Sequence, residues 1–253
     1  MSNPKFGPGK LADCDEPSLP ARSSSASMPL RELLVVEGDS AAESVKAVRD
    51  SSFQAVLPMQ GKPLNAIRAS AATLKRHELL CAFVSALGFP NHLQESPKSK
   101  PLDMECLRYE RIVLLFDPDA DGIHCSALMV LFIDKVLPQL LEDGRVEIVR
   151  PPLFGFEIIE PGVEQDALEV SQSLGPDSTS AGKILFAYSE PECREIERSL
   201  ERNKLAYNRR YFRGLGGIPS SILQEQCVSP SSRKSDCVGK AEARLMGQIL
   251  GAY

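Results

Sequence analysis

Two segments of this chain share one pattern: a short aliphatic run that stops abruptly on carboxylates. ELLVVEGDS occupies 32–40 and RIVLLFDPDADG occupies 111–122. Runs this short and this apolar suit strands buried on both faces, because a surface helix would show a polar side at every turn. Two further apolar runs lie at 53–57 and 146–149. Between them, segments at about 40–50, 70–87 and 124–141 carry helical spacing and end at turn residues such as Gly88 and Gly144. Ser40 and Glu43 have the spacing of a capping box for the first of these helices. Strands alternating with helices predict an α/β fold, a doubly wound and mostly parallel sheet with helices on both faces.

The rest of the chain divides around this unit. Residues 1–29 hold five prolines and the run Ser23-Ser24-Ser25-Ala26-Ser27, which reads as a flexible leader. The alternating unit spans 30–152. A tail over 153–253 completes it as a smaller α+β portion, with a strand at 184–188 and a charged helix at 191–203. Residues 90–101 read as a polar surface loop, and 160–182 as a polar insertion.

Composition removes several classes of function. The net charge of −5 argues against a wholly basic nucleic-acid binder, leaving room for a local patch. No stretch reaches the roughly 20 apolar residues of a membrane helix. Seven cysteines at irregular spacings, with no CxxC pair, fit reduced thiols in a cytoplasm. Three histidines are too few for a histidine-rich metal centre.

Ligands of such sheets sit at the carboxyl ends of the strands. Glu37 falls there on the first strand; Asp117, Asp119 and Asp121 end and follow the third. If those strands are neighbours, four carboxylates meet, and close like charges raise one another's pKa until a cation joins them. Oxygen donors without His or Cys suit Mg²⁺, which keeps several waters and commonly works on phosphates. DPDADG also matches an EF-hand calcium loop at four positions, yet Leu128 stands where that loop needs a bidentate Glu. A third reading makes the acidic turn a plain helix cap.

The segments ELLVVEGDSAAES, LPMQGKPLNAIRAS, LRYERIVLLFDPDADGIH, RPPLF and YFRGLGGI occur in this order along the chain. In order and spacing they resemble the TOPRIM domain and following tail of bacterial DNA gyrase and topoisomerase IV B subunits, over about 30–253. The resemblance implies a Rossmann-like TOPRIM fold and an enzyme component of an ATP-hydrolysing type IIA DNA topoisomerase. It implies that Glu37 is general acid/base and metal ligand, and that Asp117 and Asp119 bind Mg²⁺, with Asp121 completing the motif. Lys62 and Asn65 would contact DNA. The implied partners are DNA and an A-type subunit whose tyrosine attacks the phosphodiester, while the acid protonates the leaving 3′ oxygen. The family's ATPase and transducer regions are not in this sequence, so a separate ATPase subunit is implied, and the expected location is the cytoplasm, at the nucleoid.

Other residues keep two readings. His124 suits a contact to DNA or metal-bound water, and equally a structural hydrogen bond. Between Arg202 and Arg213 lie five cations, Arg210 and Arg213 among them, and no acid, with Tyr207, Tyr211 and Phe212 interleaved. That is a strip for a DNA backbone, or a helix exit whose aromatics pack inward. The chain departs from the family at Ala42 and Glu43, at Gln60, around Ser126 and at Gly217, which removes two cations and adds an anion. Two other functions therefore stand beside the first: a non-catalytic paralogue that binds and modulates topoisomerase subunits, and a stand-alone TOPRIM nuclease.

Overall fold

The aliphatic runs do pair, and in the order that brings both acidic ends together. The computed structural model describes residues 10–15, 29–93, 103–159 and 184–251. In chain order these form β1 (Glu32–Glu37), α1 (Gly38–Val48), β2 (Gln54–Met59), α2 (Ala71–Arg76), α3 (Glu78–Ala86), β3 (Arg111–Leu115) and α4 (Ala120–Val136). There follow α5 (Pro138–Glu142), β4 (Val146–Val149), β5 (Phe154–Ile159), β6 (Ile184–Ala187), α6 (Glu190–Arg202) and β7 (Ala206–Tyr211). The last elements are α7 (Ser220–Leu223), β8 (Ser235–Cys237) and α8 (Lys240–Ile249).

The main sheet has the order β2-β1-β3-β4-β8. Its first four strands are parallel and β8 is antiparallel to β4. Successive side chains of β1 and β3 enter opposite layers. Leu33, Val35, Ile112 and Leu114 pack with α3 and α4, where Phe83 meets Phe132 edge-on at 6.1 Å. Leu34, Val36, Val113 and Leu115 pack with α1 and with tail residues Leu215, Ile218 and Leu223. Burial on both faces is why these strands carry no polar alternation. A second sheet, ordered β6-β5-β7, is antiparallel and covered on one face by α6.

Several local expectations are corrected. The capping box at Ser40 and Glu43 does not form: α1 begins two residues earlier, directly off the strand, without a side-chain cap, and Glu43 pairs with Lys46 instead. The expected helix over 70–87 is two helices broken at His77. The break lets the LLCAFVSA run turn into the core while most of α2 stays exposed. The helix expected from His124 starts at Ala120 and breaks before Pro138, where a proline cannot donate its N–H. β2 continues through Pro58, which an edge strand tolerates.

Within the expected leader, residues 10–15 are tied down. Ala12 bridges Val56 on the open edge of β2, and Cys14 is buried. Arg49 donates to the carbonyls of Ala12 and Asp13, and Tyr109 donates to Asp13 at 2.7 Å. The insertion expected at 160–182 and most of the loop at 90–101 lie outside the described residues. Among the described residues, no helix is long and apolar enough to cross a membrane.

Candidate metal and acid–base site

The sheet order reverses at β1. The chain leaves β1 through α1 to β2 on one side and returns through α2 and α3 to β3 on the other. The crevice at the carboxyl ends of β1 and β3 is therefore the topological switch point, where open α/β sheets bind ligands. Val36 registers with Leu115, so Glu37 and the Asp117 turn leave the sheet side by side.

Glu37 ends β1, and Gly38 turns the chain into α1 at φ +83°, a backbone conformation that glycine adopts without strain. Glu37 Oε2 is buried and has no hydrogen-bond partner. Burial is the main force holding this carboxyl above its ordinary pKa; the charges of Asp117, Asp119 and Asp121 push the same way, and Lys62 opposes them. A carboxyl so placed keeps its proton to higher pH than a solvated glutamate does. Asp117 is also raised, chiefly by burial, while an N–H from Leu215 at 2.8 Å on Oδ1 works against the shift. Asp119 is the N-cap of α4 and accepts from Gly122 N–H at 2.9 Å. Asp121 is exposed and held low by Lys62, whose Nζ lies 2.7 Å from Oδ1.

Among the described residues no three Asp, Glu, His or Cys side chains converge as a ready-made metal cage. Mg²⁺ does not require one, since it is commonly held by one or two carboxylates and completes its octahedron with water. The donor set is all hard oxygen, and Glu37 Oε2 is a buried acceptor lacking any donor. On those two grounds the residues fit a hard divalent cation. Asp119 is both cap and candidate ligand, so the helix-cap reading of the acidic turn describes part of its role.

The residues expected to meet DNA are distributed unevenly. Lys62 reaches into the acidic cluster, not out to solvent alone. Asn65 spends its Oδ1 on the backbone N–H groups of Ile67 and Arg68, at 3.1 and 3.3 Å, shaping its own loop. His124 is exposed near the start of α4. Arg213 is exposed next to Gly214, whose backbone abuts Asp117. Arg210 is not brought to the acids: it faces Glu157 at 3.8 Å across the small sheet. In the same strip Arg209 pairs with Glu197 at 2.8 Å, Phe212 is buried, and Tyr207 packs on Phe156. Of the strip's three aromatics Phe212 and Tyr207 pack inward, whereas Tyr211 is half-exposed and most of β7 faces solvent. At the departures from the family pattern, Ala42 is buried in the α1 layer, Gln60 reaches Asp39 at 3.4 Å, and Ser126 is buried on α4.

Sequence reasoning missed three supports of the site. Lys135, from the last turn of α4, donates to the carbonyls of Ala66 at 2.7 Å and Ala69 at 3.1 Å, pinning the loop that carries Lys62 and Asn65. Cys125 lies buried beneath the acids, its thiol pushed up to about 11, mainly by burial. The Leu215 N–H reaches Asp117 from the tail, beside Gly214. None has a local signal; each depends on contacts distant in sequence.

Comparison with known proteins agrees with this geometry. The family model described as Toprim domain matches residues 32–151. The chain is 33% identical over 227 residues to the DNA gyrase B protein of Thermotoga maritima, covering 90% of this chain and 29% of that protein. It is 31% identical over 227 residues to the chloroplastic/mitochondrial gyrase B protein of Nicotiana benthamiana, covering 89% of this chain and 26% of the relative. Against the DNA topoisomerase IV B protein of Caulobacter vibrioides the identity is 31% over 226 residues, covering 89% and 27%. The chain therefore spans between a quarter and a third of the length of these relatives. Residues 32–151 thus match the Toprim domain family, in a chain similar to the corresponding region of gyrase and topoisomerase IV B subunits along about nine-tenths of its length.

Proposed function

We propose that this chain is the Mg²⁺-dependent TOPRIM component of a type IIA DNA topoisomerase, providing general acid/base and metal ligands for strand cleavage and religation. The observation that carries the reading is the unpartnered, buried Glu37 Oε2 at the switch point, within electrostatic reach of Asp117, Asp119 and Asp121. Glu37 and Asp117, with Asp119 and Asp121 around them, would hold the ion. When bound, the cation would offset negative charge on a DNA phosphate. The chain's own part is proton transfer. Burial and neighbouring acids raise the proton affinity of Glu37, and in this reading the carboxyl gives a proton to a leaving 3′ oxygen and takes it back on resealing. Lys62 pairs with Asp121 at the cluster, half exposed, and would supply a cation for a phosphate oxygen. The attacking tyrosine belongs to an A-type partner in this reading, ATP hydrolysis to a separate subunit, and the setting is the cytoplasmic nucleoid.

Mixing the chain with its cognate A-type subunit, DNA and Mg²⁺ tests the reading. Covalent cleavage complexes are expected with wild type and lost with Glu37→Ala. No cleavage by wild type rejects it. A second reading, a non-catalytic paralogue that binds the A-type subunit, is favoured by the ion pair between Lys62 and Asp121 and by the added anion at Glu43. It predicts association in a pull-down that Asp117→Ala leaves intact, with no cleavage by either protein.

A further inference from the structure

Asp117 is gripped by two glycines nearly a hundred residues apart. A Cβ on Gly122, in the acidic motif, would lie 2.1 Å from the Asp117 carbonyl oxygen. A Cβ on Gly214, in the tail, would lie 2.7 Å from its Oδ2. Real Cβ atoms do not come that close to oxygen, so each position admits glycine only while Asp117 stays where it is. Between the grips, Leu215 N–H donates to Oδ1 at 2.8 Å, and no other hydrogen bond to this carboxylate occurs among the described residues. The Leu215 side chain is fully buried between α1 and the sheet, which fixes the direction of its N–H. Gly216 repeats the device against α1, where a Cβ would lie 2.9 Å from Ser40 Oγ.

We infer that the tail turn over 213–217 is the positioning element for Asp117: Leu215 N–H occupies Oδ1, Gly214 gives the carboxylate its space, and Oδ2 is left to the metal. Gly214 is a positioning residue; it touches neither ion nor DNA. The tail is then a wall of the site and not an appendage. One consequence is that residues 32–151, the span of the Toprim match, lack the group that orients one of their own ligands. The inference rests on the metal reading above, and its test separates the two.

The test uses the full chain, with Mn²⁺ as the probe ion read by electron paramagnetic resonance, and hydrogen exchange at the Leu215 amide. Gly214→Ala is expected to weaken Mn²⁺ binding by about tenfold or more, the usual effect of losing an outer partner of a ligand. Gly217→Ala, where a Cβ would meet nothing within 4 Å, should bind as wild type does. Asp117→Ala should speed Leu215 exchange at least as much as it speeds any other amide of the turn. Equal Mn²⁺ affinity in wild type and Gly214→Ala overturns the inference and leaves the metal reading standing. If wild type binds no Mn²⁺, the metal reading fails, and the orienting contact is judged by exchange alone. Leu215 exchange unchanged in Asp117→Ala overturns the inference even if Gly214→Ala does not fold.

Discussion

At Glu37 the proposed chemistry and the burial point the same way: proton transfer calls for a carboxyl of raised pKa, and burial disfavours its charged form. Burial and three aspartates raise its pKa, so its protonated form is favoured by folding. The sign follows from linkage: this contribution is fully present below the unfolded pKa and is lost as pH rises through the raised folded one. Glu37→Gln should therefore melt higher than wild type at pH 8, by about 1–3 °C. The difference should close below about pH 4, where both carry a neutral side chain. Calorimetry across that range checks it, and a Gln variant that melts lower at pH 8 contradicts it. Asp13 shows the opposite case. Burial raises its pKa, but the Tyr109 hydroxyl, the Arg108 guanidinium and the Cys14 N–H together hold it below the ordinary aspartate value. Its contribution is present above the unfolded pKa and is lost as pH falls through the lowered one. Asp13→Asn should cost about 1–2 kcal/mol at pH 7, on the scale of hydrogen bonds to a charged group. The loss should shrink at about pH 2–3, as urea titrations at both pH values would show.

At the scale of elements, the junction from β1 to α1 is where backbone geometry decides most. Gly38 takes φ +83° with open space where a Cβ would stand. A substitution there is penalised by the backbone alone, without any collision. Gly38→Ala should destabilise by about 1–2 kcal/mol, whereas Gly217→Ala, exposed and without positive φ, should be near neutral. Denaturant midpoints for the two variants distinguish these outcomes. The same junction explains which elements could be read in advance. β1, β3 and β4 are nearly pure aliphatic runs and match the expected spans within a residue or two. Helix ends were less legible. Ser40 and Glu43 have capping-box spacing, yet α1 is set by the strand turn preceding it. The break at His77 has no proline or glycine to announce it; it follows from which residues the sheet can bury.

Across the whole molecule, the carboxyl edge of the sheet carries the candidate site and the opposite edge carries a buried ionic lock. Arg233, from the segment before β8, makes a bidentate pair with Glu32 at 2.6 and 2.7 Å and a third contact with Glu147 at 3.1 Å. Gln54 adds a hydrogen bond to Glu32 at 2.8 Å. The Arg233 side chain is 1% exposed and Glu32 2%, so neither charge can be rescued by water. Removing one partner of such a pair strands the other. Arg233→Ala should cost about 3–5 kcal/mol, measured by equilibrium unfolding. A loss below about 1 kcal/mol, the scale of an exposed pair, would show that the tail is not fastened through this contact. Since the tail also carries Leu215, loosening it should weaken divalent-ion binding at the far edge as well.

The sequence by itself determined the layered architecture, because aliphatic runs of strand length separated by helical spacing can bury their surface in few ways. It also singled out Glu37, Asp117, Asp119 and Asp121, since carboxylates gathered at neighbouring strand ends raise one another's pKa unless a cation joins them. Only the tertiary structure decided how those acids are held. Asp119 turned to cap its helix, Asp121 took Lys62, Arg210 turned away to Glu157, and Asp117 was clasped by a tail turn. These are outcomes of contacts between residues distant along the chain. Periodicity reports which face a residue occupies; it carries no record of which remote backbone will arrive beside it.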